Sequence, residues 1–185
     1  AVEYNDGPSL VIAGAGSGKT RVLTYKIAYL LKLDLPPQNI LALTFTNKAA
    51  GEMKARVGQL MGENIARRLW MGTFHSVFAR ILRVEAELIG YPKNFTIYDT
   101  DDTKSLIRAI LKEMNLDDKL YNANHVYGRI SSAKNNLISP QEYNKNEAIM
   151  AEDIANGRPQ MGQIYMTYAQ RCYRAGAMGF DDLLF

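Results

Sequence analysis

A glycine-rich segment directly behind a short apolar run is the feature that most constrains this chain. The apolar run covers residues 9–12, with the sequence Ser-Leu-Val-Ile. The segment that follows it consists of Ala13, Gly14, Ala15, Gly16, Ser17, Gly18, Lys19 and Thr20. This order is typical of a strand that enters a tight turn and then a helix. Glycines let such a turn curl round a β-phosphate with its N–H groups pointing inward, and the helix N-terminus adds partial positive charge.

The end of this segment supplies the two side chains that a nucleoside triphosphate and its metal ion need. We expect Lys19 to reach the β- and γ-phosphates and the Thr20 hydroxyl to hold Mg²⁺, so these two are the predicted catalytic residues. The strict motif opens with glycine, and Ala13 replaces it with another small residue. A glycine-rich turn without a ligand is the alternative. The Gly-Lys-Thr sequence at a strand-to-helix junction favours the phosphate site.

Length and composition are those of an ordinary globular protein. The 185 residues allow one good-sized domain, or one domain that carries a large insertion. The sequence shows neither a secretory signal nor an apolar run of the roughly twenty residues that a membrane span requires. A single cysteine, Cys172, excludes an internal disulfide and favours a reducing compartment. We therefore expect a cytoplasmic protein in which Cys172 packs inside a helix bundle.

The net charge of +3 is too small to indicate a nucleic-acid partner by itself. Residues 1–90 hold 11 Lys and Arg against 7 Asp and Glu, whereas residues 91–185 hold 11 against 12. The first half is therefore mildly basic, which permits a polyanionic partner without requiring one.

Hydrophobic spacing predicts alternating strands and helices over the first ninety residues. The predicted strands cover 9–12, 39–45 and 69–72, and the predicted helices cover 20–33, 47–61 and 73–89. Strands that alternate with helices are typical of a parallel sheet covered on both faces. We therefore predict an α/β fold for this part of the chain.

The second half of the chain is predicted to be mostly helical. One short strand is expected at 95–98, followed by helices that begin at Asp99 or Thr100, at Asn124, at Ser139 and at Gln160. The change in composition near Tyr91 predicts three regions. These are a core over residues 1–90, a helical insertion over 91–178 and a return segment over 179–185.

Polar and aromatic side chains follow two of the predicted strands. Phe45, Thr46, Asn47 and Lys48 leave the second strand, at the edge of a parallel sheet where ligands gather. An exposed aromatic ring beside phosphate-binding groups suits single-stranded nucleic acid, because every base has a face to stack upon. A helix capped by Thr46 or Asn47, with Phe45 in the core, explains the same residues equally well.

Other polar positions favour structural roles. His75, which leaves the third strand, has no nearby metal-ligating partner in the sequence, so it is a phosphate donor or a helix cap. We expect His125 to be structural. Asp181 and Asp182 suit the first turn of a helix, since acidic side chains are favourable there. Residues 131–136 are polar and suit a solvated helix end better than a phosphate contact.

Taken in order, residues 13–20, 43–53 and 72–76 resemble the motifs of the UvrD/Rep/PcrA group of superfamily 1 DNA helicases. The phosphate loop that opens with alanine is that group's own form. Residues 95–143 look like the helical insertion of the PcrA branch, and residues 180–184 look like the return from it. The resemblance covers essentially the whole chain.

This resemblance implies part of a RecA-like P-loop NTPase sheet with a mostly helical insertion. It implies an ATP-driven motor that moves 3′ to 5′ on single-stranded DNA and separates duplex junctions, with ATP and Mg²⁺ held by residues 13–20. Phe45 would stack on a DNA base. The other implied DNA contacts are Thr46, Asn47, Thr73 and His75.

The resemblance also implies parts that this sequence lacks. Members of the group have an upstream glutamine that reads adenine, a later strand that ends in Asp-Glu, and a second motor domain. We therefore expect a segment of a longer helicase, with weak ATP·Mg²⁺ binding and no appreciable ATPase of its own. A motor subunit of a helicase–nuclease, or a nucleotide-gated DNA-binding or partner-docking module without turnover, are the alternatives.

Overall fold

The computed structural model describes residues 1–14 and 16–185, which form two compact units. One unit covers Ala1–Val77 and the other covers Phe78–Phe185. Each contains a two-stranded parallel sheet and several helices, so the predicted α/β class is confirmed at this level. The three sequence regions, with limits at residues 90 and 178, stay predictions.

The first unit alternates strands with helices, as its hydrophobic spacing predicts. Its elements are α1 (Lys19–Lys32), β1 (Leu41–Thr44), α2 (Asn47–Met61), α3 (Glu63–Arg68), β2 (Trp70–Thr73) and the start of α4 (Phe74–Glu85), with a 3₁₀ turn at Pro37–Asn39. The core of this unit contains Ile27, Ile40, Ala42, Met53, Val57, Ala66 and Leu69. Met53 and Val57, one turn apart on α2, are fully buried, which is the helical spacing of a face packed on a core.

The predicted strand at residues 9–12 is wrong. In the part of the chain that the structure describes, the first-unit sheet contains β1 and β2 alone. Leu10 and Ile12 are 87% and 90% exposed. An apolar run is a local signal, whereas a strand forms only when a neighbouring strand accepts its backbone hydrogen bonds. Among the described residues, this run pairs with no strand.

The second unit is mostly helical, as predicted. Its elements are the rest of α4, β3 (Thr96–Tyr98), α5 (Thr100–Glu113), α6 (Ala123–Asn135), α7 (Pro140–Tyr143), α8 (Glu147–Ala155), α9 (Met161–Arg174) and β4 (Ala177–Gly179), with 3₁₀ turns at Ala86–Ile89 and Asp181–Leu183. Its main core contains Ile107, Ile110, Leu111, Val126, Ile130, Ile164, Tyr165, Tyr168 and Cys172.

Two helices of the second unit, α5 and α7, begin at their predicted caps. The Asp99 carboxylate accepts hydrogen bonds from the backbone N–H groups of Asp101 and Asp102, both at 2.8 Å. Ser139 and Glu142 form a reciprocal capping box with Pro140 at the first helical position. These side chains satisfy N–H groups that a helix leaves without internal partners.

Cys172 lies in the main core, as predicted, and is 2% exposed. Burial raises the pKa of its thiol to about 11. The helix predicted over 160–177 ends at Arg174 instead. Ala177 pairs with Thr96 in the β3–β4 sheet, because Gly176 adopts a left-handed φ of 57° that stops the helix and turns the chain.

Lys134 is not at a solvated helix end, contrary to the sequence-based expectation. It is 5% exposed, and its ammonium group lies 2.7 Å from the Asp182 carboxylate and 4.8 Å from the centre of the Tyr168 ring. The same carboxylate accepts a hydrogen bond from the Gly179 N–H at 2.7 Å. The predicted structural role of Asp182 is therefore confirmed, because it ties the chain after β4 to α6.

None of the helices within residues 1–14 and 16–185 combines the length and the apolarity that a bilayer crossing requires.

We expect Asp182→Asn to lower the free energy of unfolding by about 3 kcal/mol, because it leaves the buried Lys134 ammonium without its counter-charge. Urea denaturation followed by circular dichroism measures this change. Asp181→Asn is the matched control, with an expected effect within about 0.5 kcal/mol. Equal effects of the two substitutions would show that the Lys134–Asp182 ion pair does not stabilise the unit.

Candidate functional site

The predicted phosphate loop has the backbone of a tight turn that leads into α1. Gly16 and Gly18 have φ angles of 75° and 86°, in the left-handed region that favours glycine. The Ser17 hydroxyl donates a hydrogen bond to the Gly14 carbonyl at 2.7 Å, which closes the turn. Ala15, one of the predicted nucleotide contacts, lies outside the described residues.

The Lys19 side chain folds back over this loop. Its ammonium group donates hydrogen bonds to the carbonyl oxygens of Ala13, at 2.9 Å, and Gly14, at 2.6 Å. The positive charge is thereby held at the mouth of the turn. A polyphosphate oxygen is a stronger acceptor for an ammonium group than a neutral carbonyl, so these two bonds can be exchanged for phosphate contacts.

The N-terminus of α1 keeps its electrostatic attraction for an anion. Gly18 is the N-cap residue and provides no side-chain cap, and the first turn contains no acidic residue. The partial positive charge of the helix end is therefore not neutralised locally. Thr20, the predicted Mg²⁺ ligand, is the second residue of α1 and is exposed, so its hydroxyl is accessible to an ion.

Two depressions adjoin the loop. One has a volume of about 270 Å³ and is lined by Ser9, Val11, Ala13, Ser17, Lys19 and Val22, among others. The other has a volume of about 360 Å³ and is lined by Gly16, Ser17, Gly18, Arg21 and Tyr25, among others. Both are close to the size range of small-molecule sites. A larger cavity of about 610 Å³ beside Arg108 and Tyr121 contains none of the predicted site residues.

The register between β1 and β2 places the two predicted strand-end segments side by side. The strands are parallel, and Thr44 pairs with Thr73 at their last residues. Phe45 and Phe74 are the next residues, so both leave the sheet at the same edge. Their ring centroids are 5.4 Å apart, with an angle of 37° between the ring planes.

Phe45 is not in the core. Its side chain is 89% exposed, which contradicts the core alternative and fits a residue that meets a ligand. The Thr46 hydroxyl accepts a hydrogen bond from the Ala49 N–H at 3.2 Å, so Thr46 is the N-cap of α2. Its hydroxyl hydrogen can still be donated to an acceptor in solution. Asn47 begins α2 and is exposed.

Thr73 and Ser76 fix the turn from β2 into α4. The Thr73 hydroxyl donates to the Ser76 hydroxyl at 3.0 Å, and the Ser76 hydroxyl donates to the Thr73 carbonyl at 2.9 Å. A Cβ atom on Gly72 would lie 2.6 Å from the Ser76 hydroxyl oxygen and 3.0 Å from the Val77 Cγ2 atom. A side chain at this position would therefore displace the Ser76 hydroxyl or the Val77 methyl group. His75 is half-buried in the first turn of α4, beside these residues in sequence.

Phe74 is the residue that the sequence-based site prediction missed. It was part of the 72–76 motif but received no role. The available signal was the Thr-Phe pair, which occurs at the end of both β1 and β2. When two parallel neighbours end in the same dipeptide, their aromatic residues leave the sheet next to each other.

The remaining candidates do not form a metal site. Among residues 1–14 and 16–185, no three or more His, Cys, Asp or Glu side chains are grouped to hold a metal ion. His125 lies on α6 in the second unit, where desolvation and the nearby Arg158 lower its pKa.

Comparison with known families gives a match along the whole chain. The family model described as the UvrD/REP helicase N-terminal domain matches residues 1–185. The match includes both the loop at 13–20 and the strand-end segments at Phe45 and Phe74.

Curated relatives share nearly half of the aligned positions. The protein named ATP-dependent DNA helicase PcrA from Staphylococcus epidermidis is 49% identical to this chain, and those of the same name from Bacillus subtilis and Leuconostoc citreum are 46% and 44% identical. Each alignment covers 100% of this chain and 24% of the relative. The chain thus spans about a quarter of the length of the curated relatives it matches.

Two glycine-to-alanine substitutions should have opposite effects on stability. We expect Gly72→Ala to destabilise the protein by about 1–2 kcal/mol, because the new Cβ displaces the Ser76 hydroxyl. We expect Gly51→Ala to stabilise it by about 0.5–1 kcal/mol, because this exposed α2 position has open space around it and alanine favours helix. Thermal unfolding measures both. Two shifts of the same sign would contradict this account of the β2–α4 turn.

Proposed function

Because the chain belongs to the UvrD/REP helicase N-terminal domain family, which its match over residues 1–185 shows, we propose that it is the N-terminal motor segment of an ATP-dependent DNA helicase. In this proposal residues 1–90 are part of a RecA-like P-loop NTPase sheet, residues 91–178 form a mostly helical insertion, and residues 179–185 return towards the motor core. Coupled to the rest of the motor, the segment moves 3′ to 5′ on single-stranded DNA and separates duplex junctions in the cytoplasm.

The geometry of the phosphate loop is the observation that carries the proposal. Left-handed Gly16 and Gly18 lead into a helix start without a side-chain cap, and Lys19 is the first residue of that helix. Backbone N–H groups, the helix end and the ammonium group together suit the triphosphate of ATP. The Thr20 hydroxyl would hold Mg²⁺, which supplies charge neutralisation between the phosphates when bound.

The edge formed by the ends of β1 and β2 is the proposed contact with single-stranded DNA. The exposed ring of Phe45 offers a face on which any base can stack, so this contact would not depend on sequence. Thr46, Asn47, Thr73 and His75 would contact the sugar-phosphate backbone, because hydroxyl, amide and imidazole groups all hydrogen-bond phosphate oxygens. Base and backbone contacts side by side suit a protein that moves along a strand.

Turnover requires groups beyond those at the loop. The described side chains that line the two depressions include no carboxylate to orient an attacking water. This observation favours a second candidate for the chain acting alone, namely nucleotide-gated DNA binding without hydrolysis. In the motor proposal, residues outside this chain supply the missing groups.

Single substitutions should separate nucleotide binding from DNA binding in the intact protein. Lys19→Ala is expected to weaken Mg²⁺·ATP binding by about tenfold or more, because a charged hydrogen-bond donor to phosphate is lost. Phe45→Ala is expected to weaken binding of a labelled oligo-dT by about five- to a hundredfold, since one base loses its stacking partner. Fluorescent ATP titration and fluorescence anisotropy measure the two affinities.

Lys32→Ala and Phe185→Ala are the matched controls, because both residues are exposed and lie outside the proposed site. Both should leave the two affinities unchanged. The proposal would be contradicted if Lys19→Ala bound ATP as the wild type does. It would also be contradicted if Phe45→Ala left oligo-dT binding intact.

A further inference from the structure

The pairing of β1 with β2 places Phe45 and Phe74 next to each other at the sheet edge. Thr44 pairs with Thr73 in the parallel sheet. Phe45 directly follows Thr44 in sequence, and Phe74 directly follows Thr73. The register therefore fixes the backbone positions from which the two rings project, and the side-chain rotamers set how the rings meet. The strand register therefore determines that these two residues are neighbours at this edge of the sheet.

The spacing between the rings excludes a base from the gap between them. Stacking of a base on two rings requires contact of about 3.5 Å on each side, so the rings would have to be about 7 Å apart. The Phe45 and Phe74 centroids are 5.4 Å apart and the rings are tilted by 37°. Phe74 therefore lies against one side of the Phe45 ring, and the outer face of Phe45, away from Phe74, is left for a ligand because the side chain is 89% exposed.

Phe74 is held more firmly than Phe45. It is half-buried, whereas Phe45 is 89% exposed. It begins α4 directly after the turn that the Thr73 and Ser76 hydrogen bonds close. The Phe74 ring is thus held by the surrounding fold, and the exposed Phe45 ring contacts it from the solvent side.

From this geometry we propose that Phe74 is a positioning residue for single-stranded DNA, which orients the Phe45 ring so that one nucleobase stacks on its outer face. The inference rests on the proposed DNA contact of Phe45. An exposed ring without support would lose rotational freedom when a base stacks on it, and this loss weakens binding. Contact with an anchored ring removes part of that freedom before the DNA arrives.

A double-mutant cycle in the intact protein tests the proposal. The variants are Phe45→Ala, Phe74→Ala, the double variant and the conservative Phe74→Tyr. The probes are a labelled oligo-dT and a labelled abasic oligodeoxyribose phosphate of equal length, which has the backbone without bases. Fluorescence anisotropy gives each affinity, and Mg²⁺·ATP affinity reports on the integrity of the first unit.

Phe74→Ala should weaken oligo-dT binding by roughly two- to tenfold, in line with the loss of an aromatic pair. It should leave binding of the abasic probe and of ATP unchanged. The double variant should bind oligo-dT no more weakly than Phe45→Ala, because Phe74 acts only through Phe45. Phe74→Tyr should retain wild-type affinity, since its ring provides the same contact with Phe45.

Three results would overturn the positioning role while leaving the proposed function in place. The first is oligo-dT affinity unaffected by Phe74→Ala, and the second is equal weakening of both probes. The third is additive losses in the double variant, which would indicate that Phe74 contacts DNA independently. If Phe45→Ala itself left oligo-dT binding unchanged, the proposed DNA contact would fail together with this inference.

Discussion

The parallel register of β1 with β2 determines where the candidate DNA-contacting residues lie. Because Thr44 pairs with Thr73, the chain leaves both strands at one edge and enters α2 and α4 there. Backbone hydrogen bonds thus place two aromatic residues, and the polar residues beside them in sequence, at that edge. A slip of one residue would separate the rings and turn alternate side chains to the opposite face.

The candidate phosphate loop depends on a different constraint, which is backbone conformation. Gly16 and Gly18 adopt φ angles that side chains rarely tolerate, and this conformation directs the chain into α1 with Lys19 at its first position. The second unit uses a third device, a buried ion pair between Lys134 and Asp182 that holds the chain after β4. The proposed phosphate-binding Lys19 is exposed, whereas Lys134, which forms this ion pair, is buried.

Local signals in the sequence predict most helices and strands. They do not predict features that depend on strand pairing or on contacts between distant residues. The helix at 47–61 is predicted to the residue, and the caps at Thr46, Asp99 and Ser139 all form. The prediction of a strand at 9–12 is wrong because an apolar run does not specify which strand it pairs with. Phe74, β4 and the buried Lys134 were missed for the same reason, since register and long-range contacts decide them.

The central claim is that the turn before α1 binds the triphosphate of a nucleotide through magnesium. Isothermal titration calorimetry of the intact protein with a non-hydrolysable ATP analogue, with and without Mg²⁺, tests it most directly. The account predicts binding of one analogue per chain, with an affinity that falls by about tenfold or more when the metal is chelated. Absence of binding, or binding that does not depend on the metal, would contradict it.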